Sequence, residues 1–156
     1  MRVRTSILGL AAATLVMAAP AVAQDYNLDP NYGWLNLTSG FLPDPVWIPL
    51  ESGGDIDASG ISGDCVGFIA EAPDFRLNFE AGDLPLILTV TSDADTTLVV
   101  NGPDTTWYCD DDSGGDLNPA IMWEHPQSGQ YDIWVGTYGS TDIHPAALSI
   151  SEIAGH

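Results

Sequence analysis

The sequence predicts an all-β chain folded as an antiparallel β-sandwich of about eight to nine short strands. Three observations predict it. Short runs alternate apolar and polar residues or are enriched in β-branched and aromatic ones, clusters of Gly, Pro, Asn and Asp separate those runs, and no stretch carries the 3.6-residue apolar period of a long helix.

Residues 1–23 come first and read as a secretory signal peptide. Arg2 and Arg4 form the positive start, Ile7 to Ala19 the apolar stretch, and Ala21-Val22-Ala23 the small-residue cleavage site. The next residue is Gln24 and not cysteine, which argues against a lipoprotein. No second apolar span follows, so the expectation is a secreted or periplasmic protein without membrane insertion. Residues 24–63 are rich in Pro, Gly and Asp and less periodic, and read as an N-terminal extension or edge segment with one strand run, Val46 to Leu50.

Residues 64–156 carry the remaining runs: Cys65 to Ala70, Phe75 to Phe79, Leu84 to Thr91, Thr97 to Asn101, Thr105 to Cys109, Ala120 to Glu124, Gln130 to Thr137 and Ala146 to Ser151. Phe75, Leu77 and Phe79 share one face, with Arg76 and Asn78 on the other, as in a strand with one buried and one wet side. Tyr131, Ile133 and Val135 alternate in the same way with Asp132, Trp134 and Gly136. Asn101-Gly102-Pro103-Asp104 has the composition of a turn, so Leu98 to Cys109 reads as a hairpin.

That hairpin leads into Cys109-Asp110-Asp111-Asp112-Ser113-Gly114-Gly115-Asp116, four carboxylates in a glycine-rich loop. Carboxylates crowded this closely repel one another unless a cation, a proton or a metal intervenes. Cations are scarce: once the signal is removed, Arg76 alone stands against 22 Asp and Glu residues, a balance of −21. Nucleic acid and anionic membranes are therefore not expected as partners. The clustering points to a bound Ca2+ held by Asp110, Asp111, Asp112 and Asp116, against the plainer reading of a solvated acidic loop. Alternation along an extended segment lets Asp110 and Asp112 share one ion while Asp111 faces elsewhere. Asp93 and Asp95, in a turn before a strand, join the site if the two strand ends meet on one rim.

Two cysteines in an exported chain, Cys65 and Cys109, are expected to form one disulfide. A loop of that span contributes roughly 4 kcal/mol in the chain-entropy model.

The order Asp95-Thr96-Thr97-Leu98-Val99-Val100, Gly102-Pro103-Asp104, Asp111-Asp112-Ser113-Gly114-Gly115 and Ser128-Gly129-Gln130-Tyr131-Asp132-Ile133-Trp134-Val135 resembles a bacterial pre-peptidase C-terminal domain. The resemblance covers about half of the chain after the signal. It implies a small jelly-roll β-sandwich, of the kind appended to secreted peptidases, some of which bind calcium or an extracellular matrix polymer. The family's usual setting has a catalytic domain before the module; the expectation here is a module acting alone on a partner in trans.

Asp112-Ser113-Gly114-Gly115 also resembles the nucleophile motif of trypsin-like peptidases, and it reads as a decoy. Those enzymes place histidine and aspartate before the serine, whereas His125, His144 and His156 all follow it. A developing oxyanion beside Asp110 to Asp112 would be repelled rather than stabilised. The expectation is a non-catalytic protein. The histidines share no zinc-ligand spacing. Asp55-Ile56-Asp57-Ala58-Ser59-Gly60 begins like an EF-hand loop, but Val66 stands where the bidentate glutamate belongs, so it reads as an Asx-type turn.

Trp34, Trp47, Trp107, Trp123 and Trp134 are many for one small domain, and most are expected in the core. Trp107 and Tyr108 are neighbours on a strand and point to opposite faces, so one of them, with Trp134, is a candidate ligand platform beside the acidic loop. The leading expectation is an exported, calcium-stabilised module binding an extracellular or periplasmic protein or matrix partner. The alternatives are a carbohydrate-binding module recognising a polysaccharide, and a structural matrix protein that assembles with calcium.

Overall fold

The computed structural model describes residues 25–153; the signal-peptide reading falls on residues 1–23 and lies outside them. The described residues form a sandwich of two sheets built from eleven strands. The only helical turn among the described residues is a 3₁₀ turn at Ala58–Gly60.

The strands are β1 (Trp34–Thr38), β2 (Val46–Ser52), β3 (Ile56–Asp57), β4 (Phe68–Ile69), β5 (Phe75–Glu80), β6 (Leu86–Ser92), β7 (Thr96–Asn101), β8 (Trp107–Asp110), β9 (Ala120–Trp123), β10 (Gly129–Thr137) and β11 (His144–Ser151). One sheet runs β2-β11-β6-β9. The other is organised on β10, which pairs with β7 along one edge and with β5 and then β4 along the other. Strand β1 extends it beyond β5, β3 beyond β4, and β8 beyond β7.

Two of these strands depart from expectation, and both lie in residues 24–63. Strand β1 pairs with β5 in parallel, placing Trp34 opposite Arg76 and Thr38 opposite Glu80. Strand β3 is only two residues long. With β2 on β11, the three strands of this segment pair into both sheets.

The main core lies between the sheets. Phe75, Leu77, Phe79, Leu98, Val100, Tyr131, Ile133 and Val135 face Ile48, Leu50, Leu86, Leu88, Val90, Leu148 and Ile150. The alternation read at β5 is therefore real, with Arg76 and Asn78 on the outer face. The β7–β8 hairpin also forms as expected: Gly102 N–H donates to the Thr106 carbonyl at 2.9 Å, and Thr105 takes a left-handed φ of 64° in the turn.

A second, smaller core covers one end of the outer face of the β10 sheet. The excursion between β3 and β4 folds back over that face, so that Ala58, Cys65 and Ile69 pack on Val99 and Trp134, with Ile61, Trp107 and Cys109 against them. The expected Cys65–Cys109 disulfide pins it there. Gly136 makes the close approach possible, because a Cβ at that position would collide with the Thr97 hydroxyl. Among the described residues, none packs over the rest of that outer face as this second core does.

Candidate functional site

The acidic loop is organised by Asp110 and Asn118. Asp110 ends β8, and its carboxylate accepts from Ser113 N–H at 2.9 Å, Ser113 Oγ at 2.6 Å and Ala120 N–H at 2.9 Å. It thus closes the loop onto the start of β9. Ser113, the residue of the decoy motif, spends its hydroxyl proton on that carboxylate. Asn118, which sequence reading passed over, is buried. Its amide donates to the Ser92 and Asp116 carbonyls at 3.1 Å each and its oxygen accepts from Thr96 Oγ1 at 2.9 Å. The loop is thereby tied to the β6–β7 turn.

That tie brings Asp95 near the loop. Burial raises the Asp95 carboxyl above the ordinary aspartate range, and the charges of Asp112 and then Asp111 raise it further. Asp93 is exposed, as are Asp112 and Asp116. Among the described residues no group of three or more His, Cys, Asp or Glu side chains is arranged to hold a metal ion. At the second acidic stretch, Asp57 caps the 3₁₀ turn by accepting from Ser59 N–H at 2.9 Å. The Ser59 hydroxyl and amide hold its carboxyl below the ordinary range.

The expected aromatic platform is corrected. Trp134 is wholly buried, at 0% exposure, because the second core covers the face on which it stands. Trp107 stacks on it at 5.3 Å between centroids. Tyr108 lies on the opposite side of β8, as alternation requires, and packs edge-on against Trp123 at 5.1 Å. Both residues are half-buried and engaged in packing. The exposed tryptophans are Trp34 and Trp47, at 60% and 49%.

Trp34 stands on the uncovered part of the β10 sheet's outer face. From β1 this face carries Trp34, Asn36 and Thr38, from β5 Arg76 and Asn78, and from β10 Gln130 and Asp132. Trp34, Arg76 and Asp132 form one row across the strands; Asn36, Asn78 and Gln130 form the next. Two open depressions run over them. One, of about 390 Å³, is lined by Trp34, Asn36, Arg76, Asn78, Gln130 and the Asp29–Pro30 turn; the other, of about 280 Å³, continues past Asn36 and Asn78 toward Thr38 and Glu80.

Hydrogen bonds orient the polar groups here. Asn78 Nδ2 donates to Asn36 Oδ1 at 3.0 Å, and Gln130 Nε2 donates to Asp132 Oδ2 at 2.7 Å. Arg76 Nε donates to Asp132 Oδ1 at 2.6 Å, while Nη2 donates to the carbonyls of Tyr26 at 2.6 Å and Leu28 at 3.1 Å. The one strong cation after residue 23 is therefore neutralised by Asp132 and holds the N-terminal arm in place. The signal for this face was present in the alternation of Trp34-Leu35-Asn36-Leu37-Thr38, obscured by the irregular sequence on either side.

No family profile matches the sequence, and no curated protein matches it. Among solved structures, the periplasmic inhibitor of g-type lysozyme from Aeromonas hydrophila, PliG, is similar over 80% of this chain and 98% of its own, at 12% identity and a TM-score of 0.42. A likeness at that level assigns this chain to no family.

Proposed function

We propose that the chain is an exported, non-catalytic β-sandwich module that binds an extracytoplasmic partner through the outer face of β1, β5 and β10. One observation carries the reading: Trp34 is 60% exposed beside a row of hydrogen-bonded, oriented amides, in a continuous open groove. A large exposed aromatic amid fixed polar groups is the composition of a recognition surface. The disulfide supports an oxidising compartment. Trp34→Ala is the test: it should abolish partner binding while leaving the melting temperature unchanged, and full binding by the variant would sink the reading.

Calcium enters this proposal as a stabiliser of the acidic loop, a role supported by the mutual repulsion of Asp95, Asp112 and Asp111. The described residues form no ready cage and Asp110 is committed to the loop's own backbone, so binding would require Asp95, Asp111 and Asp112 to close on the ion. A thermal melt with EDTA, calcium, and magnesium at equal ionic strength decides the matter. Ligand at a hundred times its dissociation constant stabilises by about 2.7 kcal/mol; equal midpoints in calcium and magnesium remove calcium from the reading.

A further inference from the structure

Resting on the binding face just described, we infer that its ligand is an uncharged polysaccharide, one sugar of which stacks on Trp34 while its neighbours hydrogen-bond Asn36, Asn78 and Gln130. Charge narrows the choice of occupant first. With 22 acidic residues and one arginine after residue 23, the chain repels polyanions, and the arginine on the face is already paired with Asp132. No side chain on the Asn36-Asn78-Gln130 row is charged. The row therefore suits a ligand that carries hydroxyls and no formal charge.

The hydrogen-bond pattern narrows it further. Because Asn78 Nδ2 donates to Asn36 Oδ1, the Asn36 Nδ2 protons and an Asn78 Oδ1 acceptor are left for a ligand. Because Gln130 Nε2 donates to Asp132, Gln130 presents Oε1 as an acceptor. Donors and acceptors alternate over a short distance, which matches sugar hydroxyls, since each hydroxyl both donates and accepts. Two residues along β1 separate Trp34 from Asn36 by about 6.7 Å. A sugar ring lying on the indole with its apolar C–H face therefore has its rim hydroxyls within reach of the amide row.

The groove continues from Trp34 past Asn36 and Asn78 to Thr38 and Glu80, which provides for more than one sugar unit. It is open to solvent and follows the direction of β1 and β5, as a polymer laid along these strands requires. A peptide held through paired charges would find no partner on this row, whose three side chains are neutral amides.

The test is depletion of the chain from solution by insoluble cellulose, chitin and β-1,3-glucan, with polygalacturonate as the anionic control and with isolated bacterial envelopes, intact, protease-treated or periodate-oxidised. The expected result is retention on at least one uncharged polymer, with none on polygalacturonate. Envelope binding should survive protease and be lost on periodate oxidation of sugar diols. Trp34→Ala should weaken retention by about tenfold or more, and Asn36→Ala and Asn78→Ala should each weaken it less, all at unchanged melting temperature. Envelope binding that protease destroys but Trp34→Ala still abolishes would overturn the sugar inference and keep the face. A self-associating chain that Trp34→Ala renders monomeric, with no polymer retention, would do the same in favour of a second copy. Binding unaffected by Trp34→Ala, or no binding to any probe, would overturn both.

Discussion

Arg76 shows how one side chain organises this molecule at the residue scale. Its guanidinium joins Asp132, whose side chain is 3% exposed, to two carbonyls of the N-terminal arm. Truncating one partner of a buried pair leaves the other charge unpaired, which costs about 3–5 kcal/mol. Arg76→Ala should lower stability by that amount in urea titrations, whereas an exposed substitution such as Glu124→Gln should change it by less than about 0.5 kcal/mol. Asp74 makes a second argument. It is buried, and although it accepts from Val135 N–H at 2.8 Å and Asn31 Nδ2 at 3.3 Å, burial raises its carboxyl to about 7. Between roughly 4 and 7 the native state keeps a proton that the unfolded chain has released, so this group's contribution to stability declines as pH rises through that window. Asp74→Asn should flatten the slope between pH 5 and pH 8 relative to the unmodified chain while still accepting the Val135 bond; an unaltered slope would place the titration elsewhere.

At the scale of elements, β10 is the strand on which the fold turns, with three neighbours, and Gly136 is its most constrained position. The second core closes only because Ile69 and Thr97 approach Gly136 without a Cβ between them, so Gly136→Ala should cost about 1–3 kcal/mol by overpacking. Cys65→Ser should cost about 2–5 kcal/mol by releasing the excursion that covers Trp134. Thermal melts of the two variants check both figures. Strands β5, β7, β10 and β11 were legible because period-two alternation or a continuous apolar run survives in the sequence. Strand β1 alternates just as well, yet it pairs in parallel with a strand some forty residues away, and local sequence does not encode that partner. Trp134 was misread for a related reason. Alternation identifies two faces, and only the tertiary return of residues 58–69 determines that this part of the second face is also dry. The acidic loop was legible as a cluster, but Asp110's role as a backbone brace depends on the position of Ala120, ten residues away.

The whole molecule is a sandwich whose outer face on the β10 sheet is divided between a disulfide-pinned cover and an open polar groove. Its charge balance of −21 after residue 23 works against compactness, since like charges repel through a folded surface more than through an extended chain. Monovalent salt screens that repulsion, so the melting temperature should rise between 10 mM and 300 mM sodium chloride, and a flat response would mean that the acidic groups are too dispersed to matter. The same imbalance has a consequence for resistance to proteolysis. Proteases that cut after lysine or arginine find one such site beyond residue 23, the Arg76–Leu77 bond, and it lies within β5, paired on both sides by β1 and β10. Cleavage there requires the sheet to open, so such an enzyme acts on the folded chain only through its unfolded population. The folded protein is thereby shielded from a whole class of digestive enzymes, and its rate of single-site cutting is a direct gauge of how often the sandwich opens.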